Sequence, residues 1–171
     1  NKVEKIINKK FGDSTNPLLV SVRSGAKESM PGMMETVLNV GLTNHTVEAL
    51  AASSNNPRFA YDSYRRLIMM YADVVMEKSN NINSENNIGI RHHLEEYMDK
   101  YKNDKHYTSD IGLNAEDLKH LCIEFKKIIK NSLNMEFPDD PKLQLWNTIR
   151  AVLLSWNGDR ALHYRKIENI S

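Results

Sequence analysis

Apolar residues in this chain recur at three- and four-residue steps over most of its length, the spacing of helices that bury one face. From Arg58 to Met76, Tyr61, Tyr64, Ile68, Tyr71 and Val75 share a face. Ile90, Leu94, Tyr97, Met98 and Tyr101 mark another amphipathic helix, which ends near the charged run Lys102 to His106. Asn114, with Asp117 three residues on, forms a capping-box pattern, and Leu118, Leu121, Cys122, Phe125, Ile128 and Ile129 follow on one stripe. Asp140 before Pro141 supplies a cap and first-turn pair; Leu145, Trp146, Ile149, Val152, Leu153 and Trp156 then predict an apolar face that Gly158 ends. A last helix is expected from Asp159 to about Ile167. Upstream, Asn44 can cap a short helix from His45 to about Ser53, stopped by the polar stretch up to Pro57. Val3, Ile6, Ile7 and Phe11 have helical spacing with no start signal, so the chain is expected to begin inside a helix, as an excised piece would. Lys78 to Asn87, with five asparagines and two serines, reads as a flexible connector.

One stretch breaks this pattern. Between Pro17 and Gly25, Leu18, Leu19, Val20 and Val22 form a run too short for a typical helix, which predicts a strand from about Leu18 to Val22. The run ends at Arg23, whose planar fork of donors suits phosphate or carboxylate oxygens. A Gly- and Met-rich loop follows, then a second apolar run ending at Leu42. Gly25 and Gly32 can adopt backbone angles closed to other residues and let a ligand approach the main chain. Two readings stand side by side: an anion site held by Arg23 and the loop, or a hairpin whose loop merely packs, with Arg23 paired to Glu28 or Glu35. The stripes must bury against one another, so the expected fold is mainly α, a multi-helix bundle with a small β-hairpin element near the N-terminus.

Composition narrows the function classes. Across 171 residues the hydrophobic share is 40%, enough for a core, and the formal charge of +1 gives no electrostatic reason to expect nucleic acid or an anionic membrane. No run approaches the roughly 20 apolar residues that cross a bilayer. No signal peptide is visible, so the plain reading is a soluble intracellular chain. The one cysteine, Cys122, excludes an internal disulfide and sits on an apolar stripe as a buried thiol. His92 and His93 are adjacent, not three or four residues apart, so no metal site is expected there. Trp146 and Trp156 are expected as core anchors, and Met33, Met34, Met69 and Met70 ordinarily as core filler. Tyr61, Asp62, Tyr64, Arg65 and Arg66 are expected as a helix face with internal ion pairs, and alternatively as a surface facing a phosphate site or another domain. Arg160, Arg165 and Lys166 form a basic edge, either a solvated face or a docking surface for another domain.

The string from Ser21 to Leu42, SVRSGAKESMPGMMETVLNVGL, resembles the signature of the nucleotide-binding domain of the pyruvate, phosphate dikinases. Three later segments resemble the same family in the same order: NPRFAYDSYRRLIMMYADVVM from Asn56, FPDDPKLQLWNTIRAVLLSWN from Phe137, and RALHYRKIENI from Arg160. The Met-Pro-Gly-Met-Met loop points to the pyruvate, phosphate branch over the related phosphoenolpyruvate synthases and glucan-water dikinases. Lys27 stands where the family more often has arginine, keeping the charge and losing the fork.

The resemblance implies a partial ATP-grasp-like domain. Residues 1–43 would be part of the nucleotide-binding subdomain, and residues 44–171 a helical subdomain with its return into it. It implies a phosphotransferase fragment, inactive alone, of an enzyme that turns ATP, phosphate and pyruvate into AMP, diphosphate and phosphoenolpyruvate. Arg23, Gly32 and Met34 would contact the ATP phosphates, with Ser24, Gly25, Lys27, Met33 and Arg66 as further candidates. Mg²⁺ would accompany the nucleotide on carboxylates beyond Ser171, and a needed lysine would precede Asn1. Partners would be ATP, phosphate and the remaining domains, including a phosphohistidine domain, in a homodimeric enzyme of the cytoplasm, plastid or glycosome. The alternative is a helical protein-docking module without nucleotide chemistry.

Overall fold

The computed structural model describes residues 2–25, 32–80, 82 and 88–170. A first helix, α1 (Lys2–Ile7), buries no side chain. The expected helical run does not reach Phe11: Asn8 turns the chain in the left-handed region, and Phe11 lies in β1 (Lys10–Phe11). β1 pairs in parallel with β2 (Pro17–Leu18). The predicted strand is thus divided, because Leu18 pairs with Phe11 whereas β3 (Val20–Arg23) pairs antiparallel with β4 (Thr36–Val40). Within that hairpin Val22 faces Val37 and Val20 faces Val40, so Leu38 and Asn39 oppose the single Ser21. This is a β-bulge, with Asn39 at φ 59°.

Helices follow, as the periodicity predicts. α2 (Asn44–Ser54) starts one residue before expectation: Thr43 is the cap, exchanging bonds with Thr46 in a capping box. Asn56 caps α3 (Pro57–Tyr71), which continues through a π-helical turn, Ala72–Glu77, and a short 3₁₀ turn, Lys78–Asn80. The expected connector therefore begins as helix, and most of the rest of it lies outside the described residues. Glu77 accepts the Ile90 amide at 3.0 and 3.1 Å and so starts α4 (Ile90–Asp104). α5 (Ala115–Leu133) begins at the predicted Asn114–Asp117 box. Asp117 is buried, which opposes its charge, but the Asn114 amide and the Tyr101 and Tyr107 hydroxyls donate to it and hold its pKa below the usual aspartate value. Asp140 caps α6 (Pro141–Leu154), and a 3₁₀ turn, Ser155–Asn157, leads through Gly158 to α7 (Asp159–Ile167).

The core forms around α3, which packs on α2, α4, α5 and β4. Leu67 and Ile68 meet Leu94, Leu121, Phe125 and Ile129 in one buried cluster, and Tyr64 and Tyr71 set their rings edge-on to Phe137. Arg65 is buried among them. Its guanidinium bonds Asp62 at 2.7 Å and lies against the sulfurs of Met69 and Met98. This geometry matches the internal ion pairing expected of that face.

α6 departs from its expected apolar stripe. It buries Gln144, Thr148, Ala151 and Val152, while Trp146 is 68% and Leu153 67% exposed. Trp146 is therefore no core anchor. The cause is Gln144: its amide donates to the Leu42 and Pro138 carbonyls, both at 2.8 Å, and accepts the Gly41 amide at 3.1 Å. Buried main-chain groups at the β4–α2 turn need partners, and that need turns the polar side of α6 inward. Trp156 is half-buried, with the Arg165 guanidinium 4.4 Å from its ring centre.

Candidate functional site

Arg23 ends β3 opposite Thr36, the first residue of β4, and its side chain is exposed. Among the described residues Arg23 makes no ion pair, and the expected partner Glu35 is engaged elsewhere. Ser24 and Gly25 continue from the strand. A Cβ on Gly25 would meet nothing, and its backbone is not left-handed, so the expected need for glycine does not hold there. Gly32 does require it, at φ 72°. Lys27 lies outside the described residues, as does Glu28.

Met33 and Met34 are half-buried. Met33 lines an open cleft of about 580 Å³ together with Glu35, Lys78, Ser155 and Arg160. Glu35 is the most heavily tied residue of the hairpin end. Its amide donates to the Ser155 hydroxyl at 3.2 Å, and its carboxylate accepts from Arg160 at 2.9 Å and Lys78 at 3.5 Å. Lys78 also pairs with Asp73 at 3.1 Å, and Arg91 approaches Asp73 at 4.0 Å. Asp73 and Lys78 are five residues apart, the repeat that a π-helical turn aligns and an α-helix does not.

Arg66 stands apart from these groups in its contacts. It is exposed and pairs with Asp62 at 2.8 Å, one turn before Met70, whose sulfur receives the Leu38 amide. His92 and His93 are exposed on α4, and among the described residues no group of three or more His, Cys, Asp or Glu side chains is placed to hold a metal. Cys122 is buried, donates weakly to the Tyr61 carbonyl, and has its pKa pushed up to about 12 by burial. Among the described residues no helix is long and apolar enough to cross a membrane.

The sequence reading missed the grouping of Glu35, Lys78, Ser155 and Arg160. From the sequence, Glu35 reads only as a partner for Arg23, Lys78 as part of a connector, and Arg160 as part of a basic edge. Helical periodicity carries no sign of a contact between residues 125 positions apart.

The arginine, glycine and methionines stand together at the end of one hairpin set on a helical bundle. The chain belongs to the family described as "Pyruvate phosphate dikinase, AMP/ATP-binding domain", which matches residues 1–171. It is 48% identical over 169 residues to a pyruvate, phosphate dikinase of Clostridium symbiosum, covering 98% of this chain and 18% of that protein. It is 44% identical over 170 residues to the Rhizobium meliloti (strain 1021) enzyme, covering 99% of this chain and 18% of that one. Identity to a chloroplastic Arabidopsis thaliana pyruvate, phosphate dikinase is 45% over 170 residues, 99% of this chain and 16% of the relative. The chain thus spans less than a fifth of the length of these relatives. The alternative of a docking module without nucleotide chemistry finds no support in these matches.

Proposed function

We propose that this chain is part of the ATP-binding domain of a pyruvate, phosphate dikinase, and that the complete protein converts ATP, phosphate and pyruvate to AMP, diphosphate and phosphoenolpyruvate. The family match along the whole chain supports this reading. The observation that carries the site is Arg23, an exposed cation at a strand end with no ion partner among the described residues, on the same hairpin as the left-handed Gly32. In this reading Arg23 neutralises polyphosphate charge, where catalysis of phosphoryl transfer is mainly positioning and electrostatics. Gly32 offers close approach of its backbone N–H. Met34 helps exclude water, with Met33, Ser24, Gly25, Lys27 and Arg66 as supporting contacts. The division at residues 43 and 44 fits the boundary between β4 and α2.

Magnesium would accompany the nucleotide. The described residues bring together no carboxylate cluster for it, and the Glu35 carboxylate is held by two cations. The remaining domains, including one that carries a phosphohistidine, would be the partners, and the whole enzyme would be a homodimer. Exposed Ile6 on α1 and Trp146 and Leu153 on α6 support cover by the rest of the same polypeptide, given how little of the relatives' length this chain spans. The same partial span supports the reading that this piece is inactive alone. Cytoplasm, plastid and glycosome all fit, and the Arabidopsis relative is named chloroplastic.

The test is Arg23→Ala in the full-length protein. ATP-dependent phosphoenolpyruvate formation should fall by about 10²-fold or more, the scale seen when one preorganised charge donor is removed. Far-UV circular dichroism should be unchanged, since Arg23 supports no core contact. Wild-type turnover in this variant would overturn the assigned role.

A further inference from the structure

Glu35 lies three residues past the left-handed Gly32 and one before the strand residue Thr36, which faces Arg23. Three distant elements hold it. The turn after α6 accepts its amide through Ser155, whose own hydroxyl donates to the Val152 carbonyl at 2.7 Å. α7 supplies Arg160, and the turn after α3 supplies Lys78. With Asp73 and Arg91 these groups form a chain of alternating charge, Arg91, Asp73, Lys78, Glu35 and Arg160, running from α4 to α7 across the end of α3.

This chain is poorly suited to stabilising the fold. The carboxylates of Glu35 and Asp73 are largely buried, but their partners Arg160, Lys78 and Arg91 are each about half exposed or more, and pairs with a solvated partner contribute modestly to folding. It is well suited to setting direction. The amide and the carboxylate of one residue are each bonded to a different group, so both the backbone and the side chain at the exit of the Gly32–Met34 segment have a defined orientation. The Glu35 carboxylate is bonded to Arg160 and Lys78, so its effect on Gly32 and Met34 runs through the main chain.

We propose that Glu35, clamped by Arg160, Lys78 and Ser155, is a positioning residue that orients Gly32 and Met34 toward the phosphates. This rests on the phosphate-contact reading of Arg23, Gly32 and Met34 given above. Misplacing reacting groups by about 1 Å can cost on the order of 10²-fold in rate. Loss of the clamp leaves the β3–β4 register in place, so a smaller loss is expected.

The experiment measures steady-state kinetics and ¹³C-methyl methionine spectra on the full-length protein for Glu35→Gln, Arg160→Met and the double variant. Glu35→Gln keeps the shape and removes the charge. It should lower kcat about tenfold with the ATP KM changed less than about twofold, and Arg160→Met should do nearly the same. The double variant should be no slower than the slower single one, because both remove one interaction. The Met33 and Met34 methyl signals should move in all three, while thermal midpoints stay close to wild type. Arg160→Lys, which keeps the charge, should recover part of the rate. Wild-type kcat in Glu35→Gln, or losses that multiply in the double variant, would overturn the clamp. Arg23→Ala separates the two readings: if it is inactive while Glu35→Gln is unimpaired, only the clamp fails, whereas a fully active Arg23→Ala removes the phosphate reading and the clamp with it.

Discussion

The two sides of α3 share one buried core but differ in the polar contacts added to it. Toward α4 and α5, Leu67, Ile68, Leu94, Leu121, Phe125 and Ile129 form a dry cluster in which area and shape supply the stability. Toward the hairpin and the α6–α7 junction, Val37, Val40 and Ala151 join the same buried cluster, and individual polar ties are added to it: Gln144 on the β4–α2 turn, Ser155 on the Glu35 amide, Arg160 and Lys78 on the Glu35 carboxylate. Packing is non-directional and strong; the ties are directional and, where solvated, weak. A domain that must place a few backbone groups with accuracy gains from having both, one side as scaffold and the other as alignment.

Substitutions on each side should separate the two. Phe125→Ala in the dry cluster should cost the most, about 3–5 kcal/mol, read as a lowered urea midpoint. An effect under about 1 kcal/mol would mean that the cluster is not the scaffold. Gln144→Leu keeps the volume and removes three hydrogen bonds from buried main-chain groups, so a loss of about 1–3 kcal/mol is expected. Its signature would be selective: faster amide exchange at Gly41, with α5 protected as before. Trp146→Ala, on the exposed face of α6, should change the stability of this chain by less than about 0.5 kcal/mol despite removing its largest side-chain type. A large loss there would move α6 to the scaffold side of the comparison.

The difference between the sides also explains what could be read in advance. The Asn114–Asp117 box, the Asp140–Pro141 start and the α5 stripe were legible because caps and periodicity are local, and the structure keeps them. Phe11 misled because its helical spacing ignored the turn at Asn8. On α6 the apolar stripe was real as a pattern, but pattern alone does not tell which face meets the core. The need to satisfy Gly41, Leu42 and Pro138 decided it, and that need arises only once the turn exists. At the candidate site, the strand end at Arg23 and the left-handed backbone at Gly32 were legible as local geometry. The clamp was not, since Glu35 and its partners come from four separate stretches of chain.

That separation has a consequence in time. The hairpin residues leave the ribosome long before Arg160, which follows Glu35 by 125 positions. At about 5–20 residues per second, roughly 6–25 seconds pass before Arg160 even exists. Until then β3 and β4 can pack on α3 through Val37 and Val40, but without Gln144 to close the turn behind them. The α2–α5 core can condense first, so the hairpin's final alignment waits until α6 and α7 arrive.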